Sequence, residues 1–140
     1  MIDIGLTHIA LPVSDVEKSI RFYQTYAAMQ VIHRRIDKET GVAVAWLSDH
    51  TRPFAIVLIQ KETVQPILTP LAHLGVGCES REAMDFLCDK ARQEGVLIQA
   101  PKDSGYPIGY WAFLRDPDGH TLELSHGQEI GLTVEAKATS

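Results

Sequence analysis

Cysteine is scarce in this 140-residue chain: Cys78 and Cys88 stand alone, with no Cys-x-x-Cys pair. Two thiols make neither a disulfide framework nor a thiolate metal cage, and the expectation is two reduced, packed side chains in a cytoplasmic protein. Long apolar runs are missing too. None approaches the roughly 18–20 residues that span a bilayer, and Met1-Ile2-Asp3-Ile4 does not open a basic-then-apolar secretory leader. Excess positive charge is absent. Thirteen Lys and Arg against eighteen Asp and Glu give a net charge of −5, which argues against an electrostatic grip on nucleic acid or an anionic membrane. What remains, 45% hydrophobic and 22% charged residues, is the composition of one globular domain.

The order of elements repeats. Leu6 to Val13 is β-rich. Ser14-Asp15-Val16-Glu17 has the spacing of a capping box, and Val16, Ile20, Tyr23 and Ala27 then mark one face of a helix. Strands follow at Gln30–Ile36, Val42–Leu47 and Phe54–Ile59. Residues 61–70 contain two prolines and read as a linker. The pattern restarts with a strand over Ala72–Cys78 and a helix capped by Ser80, with Ala83, Phe86, Leu87 and Ala91 on one side and Gly95 as its stop. A strand at Val96–Ile98, a loop at Pro101–Pro107, and strands at Tyr110–Leu114 and His120–Ser125 about the Asp116-Pro117-Asp118-Gly119 turn complete it. The first strands each hold a histidine, His8 and His73, offset by 65 residues; the third strands align Trp46 with Phe113, offset by 67. The expectation is an α+β fold of two tandem βαβββ modules, about 5–60 and 71–126, forming a cupped mixed sheet, with a surface tail from 127 to 140.

Strand alternation then sorts the polar residues. With Glu123 inward, Thr121 and Ser125 accompany it, while Leu122 and Leu124 take the helix-covered face. A carboxylate between two leucines on a core strand needs a compensating charge, and a divalent cation supplies one. A lone strand histidine is usually a hydrogen-bonded structural residue, but two at matching repeat positions together with that Glu favour metal. His33, His50, His120 and His126 read as strand-edge, turn or surface residues. Trp46, Trp111 and Phe113 share inward parity and either wall an aromatic pocket or simply pack. Tyr106, Gly105 and Gly109 lie in a loop that is either a mobile lid or a connection. Lys102 and Arg115 either steer an anion or are solvated surface charges.

The two half-repeats, their histidines, and the run from Phe113 to Glu123 resemble the vicinal oxygen chelate superfamily of glyoxalases, bleomycin-resistance proteins and extradiol dioxygenases, over residues 5–126. The resemblance implies a divalent metal, Fe(II), Mn(II), Zn(II) or Ni(II), held by His8, His73 and Glu123, with Glu123 also the candidate base. It places the fourth ligand position in Phe54–Gln60, nearest Leu58, where no acid stands; Gln60 shares its parity one step further on. Leu58, Gln60, Trp46, Trp111 and Phe113 become candidate substrate contacts. Phe113 replaces the tyrosine of both extradiol dioxygenases and fosfomycin transferases, Ala10 replaces the transferases' threonine, and their arginine after the last strand is missing. The implied protein is a glyoxalase-like metalloenzyme of lyase, isomerase or dioxygenase type acting on a small oxygen-rich or aromatic substrate. The alternatives are a sequestering protein of the bleomycin-resistance kind and a non-catalytic assembly subunit. A homodimer is expected, with modules swapped or unswapped.

Overall fold

Asp15, not Ser14, starts the first helix. Its extended backbone and its carboxylate, which accepts from the Glu17 and Lys18 amides, satisfy two orphan N–H groups. The computed structural model describes residues 2–138. The chain forms two compact units, Met1–Ile67 and Leu68–Ser140.

The first unit runs β1 (His8–Val13), α1 (Val16–Ala27), β2 (Gln30–Ile36), β3 (Ala43–Ser48) and β4 (Ala55–Gln60). Its sheet has the order β1-β4-β3-β2; β1 and β4 are parallel, and the other pairs are antiparallel. α1 packs on β3 and β4 and buries Val16, Ile20, Tyr23 and Ala27, the four residues its periodicity marks. The sheet answers with Leu11, Val13, Ala45, Leu47, Ile56 and Leu58, none more than 3% exposed. Leu58 pairs with both Leu11 and Ala45, so these residues share the helix-covered face. Burying a side chain of that size contributes roughly 1.5–3 kcal/mol.

The second unit repeats the arrangement with β5 (Leu74–Gly77), α2 (Arg81–Gln93), β6 (Leu97–Asp103), β7 (Tyr110–Arg115) and β8 (Thr121–His126), in the order β5-β8-β7-β6. The α+β reading and the two βαβββ modules therefore stand, as two four-stranded mixed sheets. Ala112, Leu114, Leu122 and Leu124 are fully buried on the side that α2 covers. Ser80 caps α2 through the Ala83 amide, as its sequence implies. Gly95, at φ +73°, follows the last turn in the left-handed conformation that only glycine adopts without cost.

Three local expectations need correction. The buried stripe of α2 is Met84, Cys88 and Ala91, whereas Phe86 is 71% exposed. A flexible thioether and a small thiol fill the layer that an aromatic ring was expected to fill. β6 continues through Pro101 to Asp103 instead of giving way to a loop. It is an edge strand, with irregular register between Gln99 and Lys102, where a missing N–H costs nothing. The tail stays on the surface but is helical: α3 (Ile130–Ala138) has no buried residue. His120 is not a surface residue but fully buried: its backbone N–H donates to the Asp116 carboxylate at 2.9 Å, and its ring Nδ1 accepts from the Leu68 amide at 3.3 Å. No helix among the described residues is long and apolar enough to cross a membrane.

Candidate metal centre

The alternation of β8 separates its side chains by chemistry. Leu122 and Leu124 register with Leu114 and Ala112 on the helix-covered face, while Glu123 registers with Phe113 on one side and Gly75 on the other. Glu123 therefore faces away from α2 and keeps only 7% of its surface exposed. His73 immediately precedes β5. Its Nε2 lies 2.8 Å from Glu123 Oε2.

The tautomer of His73 follows from its other contact. Nδ1 is 2.9 Å from the Pro70 carbonyl, which can only accept, so Nδ1 carries the proton. In the neutral ring Nε2 is then a lone pair aimed at a carboxylate oxygen. Two acceptors at 2.8 Å require a proton or a cation in common. This is the tautomer and orientation of a metal-ligating histidine whose second nitrogen is fixed by a carbonyl. Two donors each about 2.1 Å from one ion and at right angles stand roughly 3 Å apart, so the pair fits two adjacent positions of a divalent metal. Among the described residues, no group of three or more His, Cys, Asp or Glu side chains gathers about one point. The second unit thus supplies one imidazole and one carboxylate.

Two neighbours touch this pair, and Trp111 backs one of them. Gln128 donates from its amide to Glu123 Oε1 at 3.2 Å and to the Ile108 carbonyl at 3.4 Å, tying the carboxylate to the 104–109 loop. Phe113 lies 5.0 Å from the His73 ring, and Trp111 4.9 Å from Phe113. Trp111 is oriented in turn by its indole N–H, which donates to Ser104 Oγ at 2.8 Å. At Gly75 a methyl group would sit 3.8 Å from Glu123 Oε2, so anything larger than alanine would crowd the carboxylate. Thr121, on the same face as Glu123, is buried with no partner for its hydroxyl. Gln128 left no signal in the sequence, because its reach depends on the turn after β8.

The first unit receives the other candidates differently. His8 opens β1, exposed, with Nδ1 2.9 Å from Thr7 Oγ1. Trp46, 38% exposed, lies on the face away from α1 beside His33. Leu58 is not on that face. It is fully buried under α1, and the register makes Val57 the counterpart of Glu123: Trp46 pairs with Val57 as Phe113 pairs with Glu123, and Ala10 with Val57 as Gly75 with Glu123. Gln60 is likewise drawn to the helix side. Its Oε1 accepts from the Val16 amide at 3.0 Å, which makes it a second cap of α1 rather than a substrate contact.

Comparison with known proteins agrees with this architecture. A sequence model of the Glyoxalase/Bleomycin resistance protein/Dioxygenase superfamily matches residues 5–124. The uncharacterized protein PA2024 of Pseudomonas aeruginosa is 38% identical over 134 residues, 94% of each chain. A probable lactoylglutathione lyase of Vibrio parahaemolyticus is 26% identical over 93% of this chain and 96% of its own. Among solved structures, a mutant of the fosfomycin resistance protein FosX from Listeria monocytogenes, complexed with Mn(II) and 1S,2S-dihydroxypropylphosphonic acid, superposes with a TM-score of 0.74. It shares 21% identity and covers 95% of this chain and 99% of that one.

Proposed function

We propose that this chain, which belongs to the Glyoxalase/Bleomycin resistance protein/Dioxygenase superfamily, is a metal-dependent enzyme of lyase, isomerase or dioxygenase type acting on a small oxygen-rich or aromatic compound. The observation that carries the proposal is His73 Nε2 standing 2.8 Å from Glu123 Oε2, with Nδ1 committed to a carbonyl. The ligands proposed are His73, Glu123 and, carried over from the sequence, His8, from this chain or from a second copy in a homodimer. Two imidazoles and one carboxylate suit Fe(II), Mn(II), Zn(II) or Ni(II) and leave coordination positions open. When bound, such an ion supplies Lewis acidity toward two neighbouring substrate oxygens.

The chain's own residues do the rest. Pro70 fixes the His73 tautomer. Gln128 holds one oxygen of Glu123; the other would take a proton from a carbon beside a carbonyl only once it has moved off the metal. Phe113 and Trp111 provide an apolar wall that excludes water from that atom. The name of the Vibrio relative supports chemistry of the lyase kind.

Metal analysis tests the proposal. Protein stripped with chelator is titrated with Mn(II), Ni(II) and Zn(II), and its metal content is read by mass spectrometry. One ion per chain is expected. Its affinity should fall more than about 100-fold in His73→Ala and Glu123→Gln, beyond the loss typical of an outer-shell partner, while His50→Ala leaves it unchanged. Protein that takes up no metal, yet binds aromatic compounds, would place the chain with sequestering proteins instead. Unchanged metal binding in His73→Ala would overturn the assignment outright.

A further inference from the structure

The first sheet carries a recognition group that the metal pair does not use. On the face away from α1, β2 sets His33 beside Trp46 and Arg35 beside Val44. The His33 ring lies 4.7 Å from the Trp46 ring, the Arg35 guanidinium stands 5.9 Å from the Trp46 centroid, and Arg35 Nη1 is 3.1 Å from His33 Nε2. Arginine can only donate, so Nε2 of His33 accepts, and the imidazole is a neutral holder of the guanidinium. Arg34, one residue earlier and on the opposite face, is neutralised by Glu17. Among the described residues, no carboxylate lies within ion-pair distance of Arg35.

Arg35 is therefore a cation oriented by an uncharged ring, next to a tryptophan that keeps 38% of its surface exposed. The chain as a whole is negative, at −5, and repels anions at long range, so anion recognition has to come from such a local group. A guanidinium presents a planar fork that matches one carboxylate through two parallel hydrogen bonds, and an indole offers its face to a flat π-system. One fork with no further cation suits a single carboxylate better than a phosphate, whose three oxygens call for more donors.

We infer that this face binds the acid end of a small planar carboxylate, aromatic or conjugated, with its ring against Trp46 and its anion on Arg35, and with His33 as the residue that positions Arg35. The inference stands on the first sheet alone and goes beyond the proposed enzyme; it does not rest on the metal.

The test uses the full chain, freed of metal with chelator, in ¹⁵N-labelled form. Its two tryptophans give two indole N–H signals, and Trp46→Phe assigns them. Benzoate is titrated against neutral benzamide, which has the same ring without the charge. Benzoate is expected to shift the Trp46 signal saturably, at least about 10-fold more tightly than benzamide. Arg35→Gln should abolish that preference while leaving benzamide binding as it was, and Arg35→Lys should restore part of it. His33→Ala should weaken benzoate by a smaller factor. The spectrum itself reports whether each variant is folded. Equal affinity for the two compounds, an Arg35→Gln protein that still prefers benzoate, or no shift below about 10 mM would overturn the inference. Mn(II) titration of the same samples reads the metal proposal separately: broadening of signals around His73 with no benzoate preference sinks only the carboxylate site, and the reverse result sinks only the metal.

Discussion

Introducing a carboxylate at two adjacent residues of β4 distinguishes the two possible registers of that strand. Leu58 is fully buried between Leu11 and Ala45, which are 2% and 1% exposed. Leu58→Glu forfeits roughly 1.5–3 kcal/mol of apolar burial. It also leaves an unpaired carboxylate under α1, at a further cost of several kcal/mol even after the group neutralises itself. The total, about 5 kcal/mol or more, is comparable with the whole stability of a domain this size. Val57 is only half-buried and pairs with Ala10 and Trp46 on the opposite face, where a carboxylate can reach water. Val57→Glu should therefore cost about 1 kcal/mol, the ordinary price of a point substitution. Urea denaturation followed by circular dichroism and tryptophan emission measures both. Val57→Glu should keep a cooperative transition close to the parent midpoint, and Leu58→Glu should be unfolded or shifted by several kcal/mol. Leu58→Ala, expected to cost 2–5 kcal/mol, separates lost packing from buried charge. If Leu58→Glu proved as stable as Val57→Glu, the register would be wrong by one residue, and Leu58 would lie on the Trp46 face instead.

Two further perturbations probe other assignments. Gln60→Ala leaves the buried Val16 amide without its acceptor and should cost about 1–2 kcal/mol in denaturant melts, with metal and carboxylate binding untouched; a change in binding at unchanged stability would return Gln60 to the substrate contacts. Burial pushes the Cys88 thiol up to about 11 from an ordinary value of 9.0, so at pH 8 its thiolate is about 100-fold scarcer than in the unfolded chain, and iodoacetamide should label it only on unfolding. The unfolded thiol sheds its proton from about pH 9, whereas the folded thiol keeps it until about 11. Cys88 should therefore make stability fall as pH rises across that interval, and Cys88→Ala should flatten that part of the pH profile.

The repeat itself was legible because each level of the sequence agreed with it: helix period, cap, turn and strand order recur in both halves. The helix-covered face of β8, with Leu122 and Leu124, followed from alternation alone. Errors arose where a single residue of offset mattered. His8 and His73 are 65 apart and Trp46 and Phe113 67 apart, while the register places Val57 and Glu123 66 apart. From Trp46 to Val57 is eleven residues, from Phe113 to Glu123 ten, so the connection between third and fourth strands is one residue longer in the first half. Because strand side chains alternate with period two, that one residue turns the expected Leu58 to the wrong face. The same kind of slip put the first cap at Ser14 instead of Asp15. The His73–Glu123 pair was anticipated because both residues sit on regular strands or immediately beside one. Gln128 was not, since an amide reaching back from a turn leaves no periodic trace.

The two-sidedness of these sheets bears on how such a protein changes over time. Every second residue of β3, β4, β7 and β8 answers to the helix behind it, and the residues between answer only to whatever arrives in front. Duplication of the module left two frames whose hidden sides are interchangeable in kind, Leu for Leu and Ala for Ala. Their outward sides have diverged into an imidazole–carboxylate couple on one and a guanidinium–indole couple on the other. New chemistry in this lineage can therefore be acquired one alternate position at a time, without renegotiating the interior.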